Sequence, residues 1–148
     1  MTDPLGHTAT RFLDGAGRLV SLTMPLGIFT RYAYDAVNSL TQVTDALTGA
    51  THFSYDGNGN LLTVTDARGS TTTYSYDSMD RLATRTDPLG ASESFEYDGT
   101  GNLVRHTDRK GQVSTFAYDP VNRRVAATSA DGSTTLSASV MYVPQTAE

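Results

Sequence analysis

Residues 71 to 86 hold the clearest patterning in the chain. Thr72, Tyr74 and Tyr76 share one parity while Thr73 and Ser75 hold the other, an alternation that predicts a half-buried strand with its rings on one face. A helix is disfavoured, because rings at i and i+2 would leave it on different sides. Asp77-Ser78-Met79-Asp80 then reads as a tight turn, since a leading Asp can accept backbone N–H bonds with its carboxylate. Arg81 to Thr86 is a return strand built around Leu82, and Asp87-Pro88-Leu89-Gly90 turns the chain again. The proline there presets φ near about −65° at the second turn position. Two strands and two turns make one hairpin unit of a β-meander.

The unit repeats. Tyr-Asp stands at Tyr34-Asp35, Tyr55-Asp56, Tyr76-Asp77, Tyr97-Asp98 and Tyr118-Asp119, each pair 21 residues after the last. Two residues before each of these tyrosines is a second aromatic: Tyr32, Phe53, Tyr74, Phe95 and Phe116. Five residues after the Asp comes Leu19 (following Asp14), Leu40, Leu61, Leu82 or Leu103, and nine after it Thr23, Thr44, Thr65, Thr86, Thr107 or Thr128. Ten of the 13 aromatic residues, eight Tyr and five Phe in all, thus fall in two columns, which marks a repeat architecture rather than a single evolved pocket. The last turn position is Gly17, Gly59 or Gly101, with Asn38 and Asn122 in other copies. Gly and Asn enter left-handed backbone most readily, so positive φ is expected there.

The period predicts strands over 29–34, 50–55, 71–76, 92–97 and 113–118, antiparallel to strands that start at Leu19, Leu40, Leu61, Leu82 and Leu103. The expected organisation is tandem repeats over residues 1–136 followed by a degenerate tail, 137–148. The chain opens in mid-repeat on Thr2-Asp3-Pro4-Leu5-Gly6, and Leu13 replaces the tyrosine before Asp14. Near the other end Arg124 takes a leucine slot, Ser137 and Ser139 take aromatic ones, and Tyr142 is the candidate ring of a last, decayed strand. Neither end carries the polar cap that natural arrays use, so a segment of a longer array is expected.

Composition changes this picture little. Gly, Thr, Ser and Asp are plentiful and the apolar fraction is 38%, as suits short strands and tight turns. A net charge of −5 argues against a nucleic-acid surface, which needs clustered Lys and Arg. Without cysteine there is no disulfide framework and no Cys-based zinc site. Met1 to Gly6 lacks the basic and apolar regions of a signal peptide. No apolar run approaches the roughly 18 residues of a membrane span.

The candidate chemistry is weak. Asp56-Gly57-Asn58-Gly59-Asn60 has calcium-loop spacing, but Leu61 stands where Gly is required and Ala67 where the bidentate Glu belongs, so a hairpin turn is expected instead. The column Asp45, Asp66, Asp87, Asp108 reads as turn caps, because equivalent positions of a meander lie about 10 Å apart, too far for a carboxylate dyad. His7, His52 and His106 occupy three different slots. They form no metal spacing and no triad, and surface positions are expected. No catalytic, metal or cofactor residue emerges.

Tyr-Asp-x-x-Gly-x-Leu followed by Thr-Asp-Pro-x-Gly and an aromatic strand back to Tyr-Asp resembles the YD repeat of the Rhs family, which includes bacterial Rhs proteins, the B and C components of Tc toxins and animal teneurins. Arg18, Arg81 and Arg123 sit in that family's arginine slot, and the resemblance covers roughly residues 2 to 128. It implies an all-β curved antiparallel meander sheet that is a segment of a hollow β-shell. In the bacterial toxins such a shell encloses a C-terminal toxic domain until delivery, which implies secreted or cell-surface delivery; otherwise the chain is cytoplasmic. The self-cleaving core segment of that family has no match after Ala130, so autoproteolysis is carried to no residue here.

About 12 strands at about 4.8 Å spacing give a ribbon about 55 Å wide, which closes to a diameter of only about 18 Å. A folded 100-residue cargo has a radius of gyration near 13 Å, so one chain of this size is at most part of a wall. The expected function is therefore a non-enzymatic structural segment, its partners the rest of a longer Rhs shell or a toxin cargo. The alternative is a surface module that presents its repeat faces to glycans or to a partner protein. Return-strand residues such as Val20, Leu22, Leu62, Val64 and Val104 suggest that both faces are partly apolar, and open edges suggest edge-to-edge self-association.

Overall fold

The computed structural model describes residues 8–24 and 27–137. They form thirteen strands, paired antiparallel in the order in which they occur in the chain. Among the described residues there is no α-helix, and hence none long and apolar enough to cross a membrane. The chain divides into two units, residues 1–73 and 74–148. The first holds β1 (Thr10–Leu13), β2 (Leu19–Thr23), β3 (Phe29–Tyr34), β4 (Leu40–Thr44), β5 (Ala50–Tyr55), β6 (Leu61–Thr65) and the opening residues of β7 (Thr71–Tyr76). The second holds the rest of β7, then β8 (Leu82–Thr86), β9 (Ser92–Tyr97), β10 (Leu103–Thr107), β11 (Val113–Tyr118), β12 (Arg124–Thr128) and β13 (Thr134–Leu136). The five aromatic strands and the five Leu-led strands fall where the period puts them. Thr2 to His7, Ser139 and Tyr142 lie outside the described residues.

Both kinds of turn are built alike. Asp56 donates its N–H to the Asn60 carbonyl at 2.9 Å, and Gly59 donates to the Asp56 carbonyl at 3.2 Å. Asp56 Oδ1 meanwhile accepts from the N–H groups of Asn58 and Asn60, at 2.9 and 2.8 Å. The same pair of bonds is made by Asp66 in the turn that follows, from Arg68 and Ser70. The last turn position has positive φ, as expected at Asn38 (72°) and Asn122 (61°), but also at Asp80 (58°) and Thr48 (66°). A β-branched residue in left-handed backbone is strained, so the turn geometry overrides residue preference at Thr48.

The aromatic hairpins β3–β4, β5–β6, β9–β10 and β11–β12 close with a register shift. Tyr34 pairs with Leu40, but Ala33 pairs with Gln42 and Tyr32 with Val43, so Thr41 is an extra residue on the return strand. Tyr55 pairs with Leu61 and Phe53 with Val64, leaving Leu62 extra; Tyr97 pairs with Leu103 and Phe95 with His106, leaving Val104 extra. Such a bulge re-phases the side-chain alternation. Leu40 and Val43, three apart, therefore share the aromatic face, as do Leu61 and Val64.

The register fixes the position of two of the return-strand residues expected on the other face. Val64 stands opposite Phe53 on one side and Thr72 on the other, and Leu22 opposite Thr30, so both belong to the aromatic face. The reverse face carries hydroxyl pairs, Ser54–Thr63 at 2.6 Å and Thr65–Thr71 at 2.9 Å in the first unit, and Ser75–Thr84 at 2.6 Å and Thr128–Thr134 at 3.0 Å in the second. It keeps apolar residues as expected, Phe29 beside Thr23 and Val113 beside Thr107. No described residue is fully buried. The ten column aromatics are each half-buried, covered by neighbours on their own face.

Candidate functional site

The repeat motif converges at the Tyr-Asp turns. Tyr34, Tyr55 and Tyr97 are each directly opposite one leucine and hydrogen-bonded to the backbone of another, while Tyr118 stands opposite Arg124. Tyr55 faces Leu61 across the ladder, while its hydroxyl donates to the carbonyl of Leu40 at 2.9 Å. Leu40 in turn faces Tyr34, whose hydroxyl donates to Leu19 O at 3.0 Å. In the second unit Tyr97 donates to Leu82 O at 3.1 Å and Tyr118 to Leu103 O at 3.0 Å. The second aromatic sits two cross-strand pairs along the ladder, Tyr32 against Val43, Phe53 against Val64, Phe95 against His106 and Phe116 against Ala127. Tyr74 and Tyr76 close β7 at the equivalent positions. The ladder thus brings rings and leucines together at Tyr34, Tyr55 and Tyr97, whereas the main-chain acceptor of each hydroxyl leaves no mark in the sequence.

The residue four after the Asp completes the turn. Arg18 Nε donates to Asp14 Oδ2 at 2.6 Å, its Nη1 reaches Asp35 O at 3.3 Å and Asn38 Oδ1 at 2.7 Å, and its guanidinium lies 4.9 Å from the centre of the Tyr34 ring. Arg81 does the same in the second unit, to Asp77 Oδ2 at 2.7 Å, Asp98 O at 3.0 Å and the Tyr97 ring at 4.7 Å. Asn60 and Asn102 fill the slot with shorter amides that still reach Oδ2 of Asp56 and Asp98, at 3.0 and 2.9 Å. Arg123 bonds Asp119 Oδ2 at 2.7 Å.

These bonds stabilise charged carboxylates. Asp98 is held at about 2 by the side chains of Asn102 and Thr100, helped by their backbone N–H groups. Asp56 is lowered first by the Asn60 side chain and then by its N–H, and Asp14 by the N–H and side chain of Arg18. The Asp56–Asn60 carboxylate is engaged as a turn cap on both oxygens, and the described residues contain no cluster of three or more metal-ligating side chains.

A charged cluster interrupts the aromatic face of the second unit. Arg85 Nη1 donates to Glu93 Oε1 at 2.9 Å, and Arg109 Nη1 lies 3.5 Å from Asp87 Oδ2. His106 stacks on Phe95 with ring centres 4.9 Å apart, its Nε2 3.5 Å from Glu93 Oε2. Burial pushes the Glu93 carboxyl up, but the hydrogen bond from Arg85 and the proximity of His106 and Arg109 bring it below its usual range. His106 is therefore half-buried rather than a plain surface residue, because the bulge turns its position toward the rings; His52 is exposed.

Comparisons with known proteins agree with this geometry. The RHS Repeat family model matches residues 14–50, 55–92 and 97–134. No curated protein matches the chain. Among solved structures, the TcdB2-TccC3-Cdc42 crystal structure superposes with a TM-score of 0.70 at 23% identity, covering 83% of this chain and 7% of that one. TcdB2-TccC3 without its hypervariable C-terminal region gives 0.71 at 23% identity, and a Photorhabdus luminescens Tc holotoxin pore 0.68 at 22%, each again with 83% of this chain covered. The chain therefore spans about 7% of the length of these structures, and the likeness is one of fold.

Proposed function

Because the chain belongs to the RHS repeat family, we propose that it is a non-enzymatic segment of a β-sheet shell that encloses a toxin or effector. The observation that carries the reading is what the motif side chains do. The hydroxyls of Tyr34, Tyr55, Tyr97 and Tyr118 bond main-chain carbonyls of the neighbouring copy, and the turn aspartates bond their own backbone. Chemistry-bearing groups that hold the sheet together are not free to act on a substrate. The superposition on Tc toxin structures favours a toxin cargo and delivery outside the producing cell. The glycan-binding alternative draws on the half-buried rings, but a ring whose hydroxyl is already committed offers a sugar only its face.

Protease protection tests the proposal. In a full-length product that carries these repeats, the enclosed polypeptide should resist digestion while the repeats are folded. Tyr55→Ala together with Tyr97→Ala should expose it. Equal digestion in the intact and substituted proteins would refute enclosure, and saturable binding to a glycan panel that those substitutions abolish would replace it with the alternative.

A further inference from the structure

The second copy lacks the side chain that Arg18 and Arg81 supply. Ser39 occupies the arginine position of the Asp35 turn, and its side chain is too short to reach beyond that turn. Asp35 Oδ1 accepts the N–H groups of Val37 and Ser39 at 2.9 and 2.8 Å, but Asp35 Oδ2 accepts no hydrogen bond from any described residue. Among the described copies it is the one Tyr-Asp turn whose outer carboxylate oxygen is unused. Beside it opens a groove of about 490 Å³, lined by Asp35, Ser39, Thr41, Phe53, Tyr55 and Asp56 among others. Asp35, Tyr55 and Asp56 are the counterparts, in the same relation, of the three groups that Arg18 engages at Asp14, Tyr34 and Asp35.

We propose that this groove is a binding site for a guanidinium group, as carried by an arginine side chain. The chain itself shows the bound form twice. A guanidinium donates to the Asp of one turn and to the Asp carbonyl of the next while lying over the intervening tyrosine ring, in one copy of each unit. At Ser39 the carboxylate, the carbonyl and the ring remain and only the cation is missing. The receiving ring is held in place by its hydroxyl bond to Leu40 O at 2.9 Å. Planarity selects the ligand: a guanidinium donates in its own plane while its face covers a ring, which a lysine ammonium cannot do. The inference is independent of any shell, because it rests on one turn of the first unit.

Titration of the whole chain, followed by NMR, tests it with three probes: N-acetyl-arginine methylamide, the same arginine within a Gly-Arg-Gly peptide, and N-acetyl-lysine methylamide. The expected result is saturable shifts of the Tyr55 ring and of the Asp35 and Asp56 amides at about millimolar arginine derivative. The lysine probe should bind at least about fivefold more weakly. Equal affinity of the two arginine probes would mean that the guanidinium alone is read, and tighter peptide binding that flanking backbone adds to it. Ser39→Arg supplies the group in cis and should abolish the response at Tyr55. Arg81→Ala should create a second response at Tyr97; if that variant does not fold, Ser39→Arg carries the test. Shifts that do not saturate, that lysine matches, or that persist in Ser39→Arg would overturn the proposal.

Discussion

Tyr97 donates from its hydroxyl to the carbonyl oxygen of Leu82, 3.1 Å away and fifteen residues earlier in the chain. The bond joins the end of β9 to the start of β8, and the ring that makes it lies 4.7 Å from the Arg81 guanidinium. Tyr97→Phe should therefore cost about 1 kcal/mol, the net value of one hydrogen bond. Tyr97→Ala should cost about 2 kcal/mol or more, because the half-buried ring and its cation contact go as well. Urea melts of the two variants separate these contributions. Equal losses would mean that the ring itself contributes nothing.

Thr48 holds φ at 66°, where the equivalent turns have Gly69, Gly90 and Gly111. Relief of left-handed strain outweighs the added freedom of the unfolded chain, so Thr48→Gly should stabilise by about 0.5–1 kcal/mol. Gly90→Thr should destabilise by about 1–2 kcal/mol. Thermal melts of both variants check the pair; a destabilised Thr48→Gly would contradict the strain argument.

The turn carboxylates set an acid limit. An unfolded aspartate titrates near 3.8, whereas Asp98 in the folded chain is held at about 2, and Asp14, Asp56, Asp66, Asp77, Asp108 and Asp119 are also lowered. A depressed folded value means that the folded state binds fewer protons. This contribution to stability is present above about pH 4 and is lost as pH falls toward about 2. Urea midpoints should be flat from pH 7 to about pH 4 and fall below it. Asp98→Asn should lower the neutral-pH midpoint and shrink that fall. A midpoint that drops between pH 7 and pH 5 would point to groups other than these.

Much of the fold was legible because rings, leucines and turn residues each leave a compositional mark at fixed spacing. The bulge leaves none. Its extra residue is Thr41, Leu62 or Val104 in different copies, so Leu22 and Val64 read as lying on the face opposite the rings when the register puts them on the ring face. For the same reason Arg85 and His106 look like ordinary strand residues until the register places them in the column of Val43 and Val64. Leu82 was legible as a side chain, but its role as an acceptor belongs to its backbone.

That column supports a further prediction. Ion pairs in partly buried sites contribute little against apolar residues of similar size, whereas removing one partner is costly. Arg85→Val, Glu93→Thr and His106→Val made together restore the residues found at Val43, Thr51 and Val64, and should leave stability unchanged or raised. Glu93→Gln alone should lower it by about 1 kcal/mol after solvent screening. A triple variant less stable than the single one would show that the cluster itself stabilises the sheet.

The register shift at the aromatic hairpins β3–β4, β5–β6, β9–β10 and β11–β12 also bears on how such arrays change length. A copy of 21 residues is odd-numbered, yet successive rings return to the same face because the bulge absorbs one residue. Whole copies are therefore interchangeable modules. Recombination between them lengthens or shortens the array without inverting any face, since each copy bonds its immediate neighbours. Gain or loss of one codon within a strand would instead move hydroxyls to the ring side and rings to the hydroxyl side. Array length can drift genetically in steps of one unit, while the interior of the unit is closed to insertion.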